Sequence, residues 1–300
     1  YAGEIALASF ALILFALLSI KGISVAGWLQ TVMALSLVAS VFILFIGAFL
    51  SPQVEISNLQ PLFPEGKSSW SAVIAVVAIA PWAFVGFDSI PQAAEEFNFS
   101  PKKANGIMII AIVFGAFVYI AVNTVTAAVE PWQEFLARGY DWPTGEAAEI
   151  VMGKAGLLFL GIALICAVLS GIIGFYMAAS RLLYSMAREK ALPQWFGRID
   201  EKSRTPKNSI LFIMIISLTA PWFGREVLQW IVDMSSIGAA IGYGYTCFAA
   251  CRTLKQDAQR RPGLKVLSVV GTVFSLIFVL LLIVPGMPSY LAFESRICLV

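Results

Sequence analysis

Residues 71–96 read SAVIAVVAIAPWAFVGFDSIPQAAEE, an apolar run long enough to cross a bilayer, which takes about 20 residues of helix. Pro81, Gly86, Asp88 and Pro91 interrupt it. Pro81 has no N–H and its ring clashes with the carbonyl four residues back, so the carbonyl of Val77 loses its helical partner. Gly86 reaches backbone angles that other residues resist. The helix is expected to unwind around residues 83–87 and to restart near Asp88 and Ser89, two good N-cap residues. A bilayer tolerates unwound backbone only where protein or a water-filled cavity covers it. Secondary transporters use broken helices of this kind to coordinate solutes and ions near the midplane. Freed carbonyls suit an ammonium group or Na⁺, and the N–H groups opening the second half-helix suit a carboxylate. One break then serves both ends of an amino acid; a plain proline kink is the alternative.

The rest of the chain has the same character. Of its 300 residues 59% are hydrophobic and 13% charged, with a mean hydropathy of +0.85. A soluble domain is nearer a quarter charged, so the class is an all-α polytopic membrane protein. Apolar segments of spanning length fall at roughly 5–20, 24–49, 70–92, 106–128, 155–185, 208–223, 227–250 and 266–284, and a ninth begins near 291. The fifth is long enough to run past the bilayer. Tyr1 is not an initiator Met and the last apolar run stops short, so a fragment of a longer membrane protein is expected.

Charge gives an orientation. Counting from the first connection, the odd loops carry 15 Lys and Arg and the even loops 4. Basic loops stay cytoplasmic, which puts the odd loops inside and runs the broken third span from outside to inside. No basic run suggests nucleic acid as a partner; the partners expected are the bilayer and a small amino acid or amine. The chain has no His, which excludes a His metal site or proton relay. Cys166, Cys247, Cys251 and Cys298 lie in or beside apolar segments without a CxxC and read as small lipid- or core-facing hydrophobes. No nucleophile–base pair lies in a span, and enzyme chemistry is not expected. Neither is a metal or an organic cofactor.

Ionisable groups inside a membrane default to function. Asp88 is the strongest such candidate. Asp233 lies near the outer end of its span, where solvation suffices to explain it, and Glu95 and Glu96 sit at the inner end of the broken span, within reach of Lys102 and Lys103. In the fifth span Ser170, Gly171, Gly174, Ala178, Ala179 and Ser180 recur at helical spacing, chiefly a packing pattern. Ser170 also offers a cation ligand, and Phe175 a pocket wall.

The run from Pro81 to Glu96 resembles the sixth helix of the amino acid–polyamine–organocation (APC) transporter superfamily. At the proper distance, SRLLYSMAREKALPQWFGRIDEKSRTPKNS over 180–209 resembles that family's eighth helix and following loop, and KGISVAGWLQ over 21–30 resembles the opening of its fifth. The resemblance covers about residues 5–300. It implies a leucine-transporter-like five-plus-five inverted-repeat fold, incomplete at both ends. The spans would be helices four to eleven and the start of twelve, forming one membrane transport domain over 1–300 with the complete second repeat over 70–250. It implies that the backbone of Ala83, Phe84 and Val85 receives the substrate amino group, with Gly86 at the same break. Trp82 matches the gating Trp of an antiporter in that family, Asp88 an acidic position, and Phe175 a pocket aromatic.

One departure stands out. Several relatives carry a Lys in the fifth helix that serves proton coupling or fills a sodium site; counting back from Gly47, Ser36 stands there. A neutral Ser can do neither, so Ser36 and Ser170 are read as candidate Na⁺ ligands, with ordinary helix packing as the alternative. The expectation is a secondary active transporter of amino acids or related amines, working by alternating access in a plasma membrane, by inference a bacterial inner membrane. H⁺ or Na⁺ is the candidate coupling ion. A transport-inactive sensor or channel-like protein on the same scaffold is the alternative. The scarcity of acidic residues beside Asp88 favours a neutral amino acid over a polyamine.

Overall fold

The computed structural model describes residues 2–63, 66, 68–92, 94, 98–224, 226–256, 262–287, 290, 291 and 295. A helix stands at each of the eight expected span positions, and among the described residues there is no strand. Among the described residues eleven α-helices follow in order: α1 (Ala2–Lys21), α2 (Ile23–Leu50), α3 (Ser69–Ala83), α4 (Ser89–Gln92), α5 (Pro101–Ala128), α6 (Trp132–Ala137), α7 (Pro143–Met152), α8 (Lys154–Arg188), α9 (Lys207–Ser217), α10 (Glu226–Gln256) and α11 (Pro262–Ile283). Five of them, α1, α2, α5, α8 and α11, are long and apolar enough to cross a membrane. At 1.5 Å per residue the 35-residue α8 is roughly 50 Å long, well beyond a hydrocarbon core of about 30 Å. The expected ninth span falls almost entirely outside the described residues, as does Cys298.

The chain divides into two compact units, residues 1–62 with 86–222, and residues 63–85 with 223–300. In the first unit α8 is the central strut, packed along α2 and against α1, α7 and α9. Phe15 and Ala16 of α1, Met33 of α2, Ile173 and Tyr176 of α8, and Ile210 of α9 form its main buried cluster. Tyr176 hides its polar tip by donating to the carbonyl of Leu12 at 3.2 Å. Gly47 admits the side chain of Met152 where a Cβ would overlap it, the close approach that small residues give membrane helices. Gly153, at φ 63°, makes the sharp turn from α7 into α8. In the second unit α10 packs along α11. Gly244 faces Ser275, Gly271 faces Cys247, and the Ser275 hydroxyl donates to the carbonyl of Ala240.

Outward faces are apolar: Phe49 is 84% exposed, and Leu7, Ile110 and Leu267 are exposed as well. Lipid tails are the solvent for such surfaces. Several hydroxyls inside the helices are tied back to their own turns. Ser19, Thr126, Ser236, Ser268 and Thr272 each donate to the carbonyl four residues earlier at 2.8 Å.

The connection between α8 and α9 is a hydrogen-bonded knot. The carboxylate of Asp200 accepts the Ser203 N–H at 3.0 Å and its hydroxyl at 2.9 Å. The buried Thr205 hydroxyl is 2.8 Å from that of Ser203 and donates to the Ile20 carbonyl at the end of α1, at 3.2 Å. Ser209 donates to the Phe196 carbonyl at 3.1 Å, and the Phe196 ring meets Phe212 edge-on. The two Ser203 bonds, helped by Lys207, hold the Asp200 carboxyl below the usual carboxylate range. A depressed folded-state pKa contributes stability that is complete above the unfolded value, about 3.9 for Asp, and is lost as pH falls through the folded value. Amide hydrogen exchange should therefore show Ser203 equally protected at pH 7 and 5, with protection falling below about pH 4. In Asp200→Ala it should be weak at every pH.

Candidate functional site

The sixth-helix-like segment is broken as its sequence implies, slightly later than expected. α3 runs two residues past Pro81 and ends at Ala83; residues 84–88 form turns; α4 resumes at Ser89. The helix tightens as it ends, with Phe84 N–H donating to the Pro81 carbonyl at 3.3 Å and Val85 N–H to that of Trp82 at 3.1 Å, the i→i+3 pattern common at helix termini. Phe84 sits at φ −103°, ψ 0°, the sparsely allowed bridge region. Gly86 has φ 128°, open only to glycine without strain. No atom lies within 4 Å of where its Cβ would stand, so it is backbone conformation, not crowding, that requires glycine.

Asp88 holds the break in place, in a different way from the expected one. Its Oδ1 accepts the Gly86 N–H at 2.9 Å and its Oδ2 the Gln92 amide at 3.4 Å. The carboxylate thus turns back to a donor in the unwound stretch as well as onward along α4. The Ser89 hydroxyl likewise donates to the Gly86 carbonyl at 2.6 Å, and the Ser89 N–H reaches the same oxygen at 3.1 Å. The Gly86 peptide is bonded on both sides. The boundary between the two compact units falls in this turn, between Val85 and Gly86.

The other expected residues separate by unit. Trp82 and Ala83 in the last turn of α3, with Phe84 and Val85 after it, belong to the second unit. Trp82 is 46% exposed. Gly86, Asp88 and Phe175 belong to the first, with Phe175 exposed on α8. Ser36 on α2 and Ser170 on α8 are half-buried, and neither is bonded back to its own helix among the described residues. Glu95 and Glu96 lie outside the described residues. Asp233 requires a correction: it is buried, not solvated, and accepts a hydrogen bond from the buried Ser295 hydroxyl at 2.6 Å. Its place near a span end suggested water, while tertiary packing supplied protein. Among the described residues no group of three or more Cys, Asp or Glu could hold a metal.

Helices opened in this way occur in secondary transporters. The amino acid permease family model matches residues 4–294, and the chain belongs to that family. It is a multi-pass membrane protein, and the family is one of permeases. It is 30% identical to an uncharacterized transporter of Rhizobium meliloti over 71% of this chain and 46% of that protein. It is 29% identical to cationic amino acid transporter 4 of Mus musculus over 75% of this chain and 34% of that protein. A branched-chain amino acid permease of Bacillus subtilis is 25% identical over 81% of this chain and 51% of its own length. The chain thus spans a third to a half of these relatives.

The break makes a stability prediction. Gly86→Ala should cost about 1–3 kcal/mol through backbone strain alone, and Asp88→Ala a similar amount by orphaning the Gly86 N–H. Asp88→Asn keeps an acceptor oxygen and should cost less than Asp88→Ala. Thermal unfolding of the purified protein in detergent, read as Tm, checks the order.

Proposed function

We propose that the protein is a secondary active transporter that moves amino acids or related amines across the plasma membrane by alternating access, in a bacterial inner membrane. The observation that carries this is the opened helix at residues 84–88, held by Asp88, within a chain of the amino acid permease family. An unwound stretch offers backbone groups to a solute that an intact helix cannot. Ala83, Phe84 and Val85 supply that backbone for the substrate amino group, with Gly86 giving the chain its turn. Trp82 acts as an aromatic gate and Phe175 as a substrate-facing ring; both side chains are exposed. Asp88 holds the local geometry and supplies negative charge beside it.

The substrate we favour is a neutral amino acid. With Asp233 buried on Ser295, Asp88 is left as the carboxylate at the break. Relatives named for cationic and for branched-chain amino acids define the panel to test. For coupling, Ser36 and Ser170 are assigned as Na⁺ ligands, since a hydroxyl oxygen carries two lone pairs and suits a hard cation. H⁺ symport and exchange are the competing couplings.

Saturable uptake of one amino-acid class into proteoliposomes containing the full-length permease, competed by its analogues, is the expected result. Binding without flux or counterflow would instead assign a sensor, and flux that does not saturate a channel-like protein. Replacing Na⁺ by choline should cut uptake about tenfold, and Ser36→Ala with Ser170→Ala should raise the Na⁺ concentration for half-maximal uptake by a similar factor, the scale of a lost hydrogen bond to a charge. Uptake indifferent to choline would remove the Na⁺ assignment.

A further inference from the structure

The first unit holds a cavity of about 600 Å³ at the end of α8 that carries the basic loop. Its depth in the membrane can be counted along α8, which the charge of the loops brings in from the outer face. From Leu157, at 1.5 Å per residue, a hydrocarbon core of about 30 Å ends near Met177, and the headgroup layer adds about 5–7 Å more. Met177, Tyr184 and Arg188 line the cavity. Ser19, two residues before the inner end of α1, lines it as well. Two helices thus place it at the level of the inner headgroups.

One part of its wall is cationic. Among the described residues Arg181, Arg188 and Arg204 line it against a single carboxylate, Glu189. Arg181 and Arg188 are seven residues apart on α8, hence on one face and about 10 Å apart along the axis. The Arg188 guanidinium donates to the Tyr184 hydroxyl at 3.1 Å and lies 5.9 Å from the centre of that ring, which fixes it beside the cavity. Arg204 is set by its left-handed backbone, φ 53°, and by its N–H on the Asp200 carbonyl at 2.8 Å. Cations lining one cavity act on one anion together, since screening takes a distance of about 8–10 Å.

Another part is apolar and open. Leu182 and Ile199 line the cavity and are exposed. A soluble anion would use the arginines and leave this wall without a partner. An amphiphile uses both. Basic pockets between membrane helices on the cytoplasmic side suit the heads of anionic lipids, and guanidinium groups suit phosphate oxygens.

We propose that this cavity holds the phosphate head of an anionic phospholipid of the inner leaflet, drawn in by Arg181, Arg188 and Arg204, with Leu182 and Ile199 beside the start of its acyl chains. The inference takes its side of the membrane from the basic loops. It does not depend on which solute the protein carries.

The experiment is lipid titration of the delipidated full-length permease in detergent, read by native mass spectrometry. The probes are phosphatidylglycerol and phosphatidylcholine with the same acyl chains. The first phosphatidylglycerol should bind about tenfold more tightly than phosphatidylcholine, and Arg188→Gln with Arg204→Gln, both at exposed positions, should remove that preference. Arg188→Lys with Arg204→Lys keeps the charge and should stay within about threefold of the unmodified protein. Arg252→Gln with Lys265→Gln takes the same charge from exposed positions of the other basic loop and should change nothing. No preference for phosphatidylglycerol in the unmodified protein overturns the site. So does an equal loss in the lysine pair, or a loss in the Arg252 and Lys265 pair as large as in the glutamine pair, which would leave only diffuse surface charge. Displacement of the lipid by an equal concentration of glycerol phosphate makes the cavity a site for soluble phosphate and overturns the lipid.

Discussion

The constraint on which the structure depends is that backbone N–H and C=O groups inside a bilayer must find partners within the protein. An uninterrupted helix meets it automatically. This chain breaks one helix over residues 84–88 and meets it instead with local side chains. Asp88 accepts the Gly86 N–H, and Ser89 supplies two donors to the Gly86 carbonyl. The opened segment is thereby specific and reproducible rather than merely kinked. A solute that binds there meets a backbone already in shape, so little ordering entropy opposes binding.

The same economy shows in the spans that surround it. Several of their hydroxyls fold back on their own helices and so add no unsatisfied group there. Helices come close where Gly or Ala stands at the contact, as at Gly47 beneath Met152 and Gly244 beneath Ser275. Lipid supplies no hydrophobic drive for helix association, so tight packing of small residues has to provide the attraction. Where the chain leaves the membrane between α8 and α9, polar knots take over, with Asp200, Ser203 and Thr205 fastening the loop to the end of α1. Charge is concentrated in that loop and at the cavity beside it, where water lowers its cost.

The polar groups around the break hold its backbone in shape. Asp88 and Ser89 fasten the Gly86 peptide, and the Gln92 amide donates to Asp88 one turn further on. The carboxylate of Asp233, by contrast, is bonded to Ser295 in the second unit and serves the packing there.

Much of this was legible in the sequence because hydrophobic length and local chemistry decide it. Eight apolar runs became helices at their expected places, and Pro81, Gly86 and Asp88 announced a break, since proline and glycine act on the backbone wherever they stand. The family, too, could be recognised from the run 81–96 and the loop after 180. Long-range packing was not legible. Nothing local separates a solvated Asp233 from one buried on Ser295, 62 residues away in the chain. Nothing local shows that Asp88 caps backward onto Gly86 as well as reaching forward to Gln92, or that α6 and α7 form short helices in what reads as a loop. The sequence by itself determined the places of the long apolar helices and the position of the interruption in one of them, because a bilayer enforces helix on any long apolar run. Only the tertiary structure decided which polar atoms are satisfied and which wait for a partner, because a hydrogen bond depends on who is near in space.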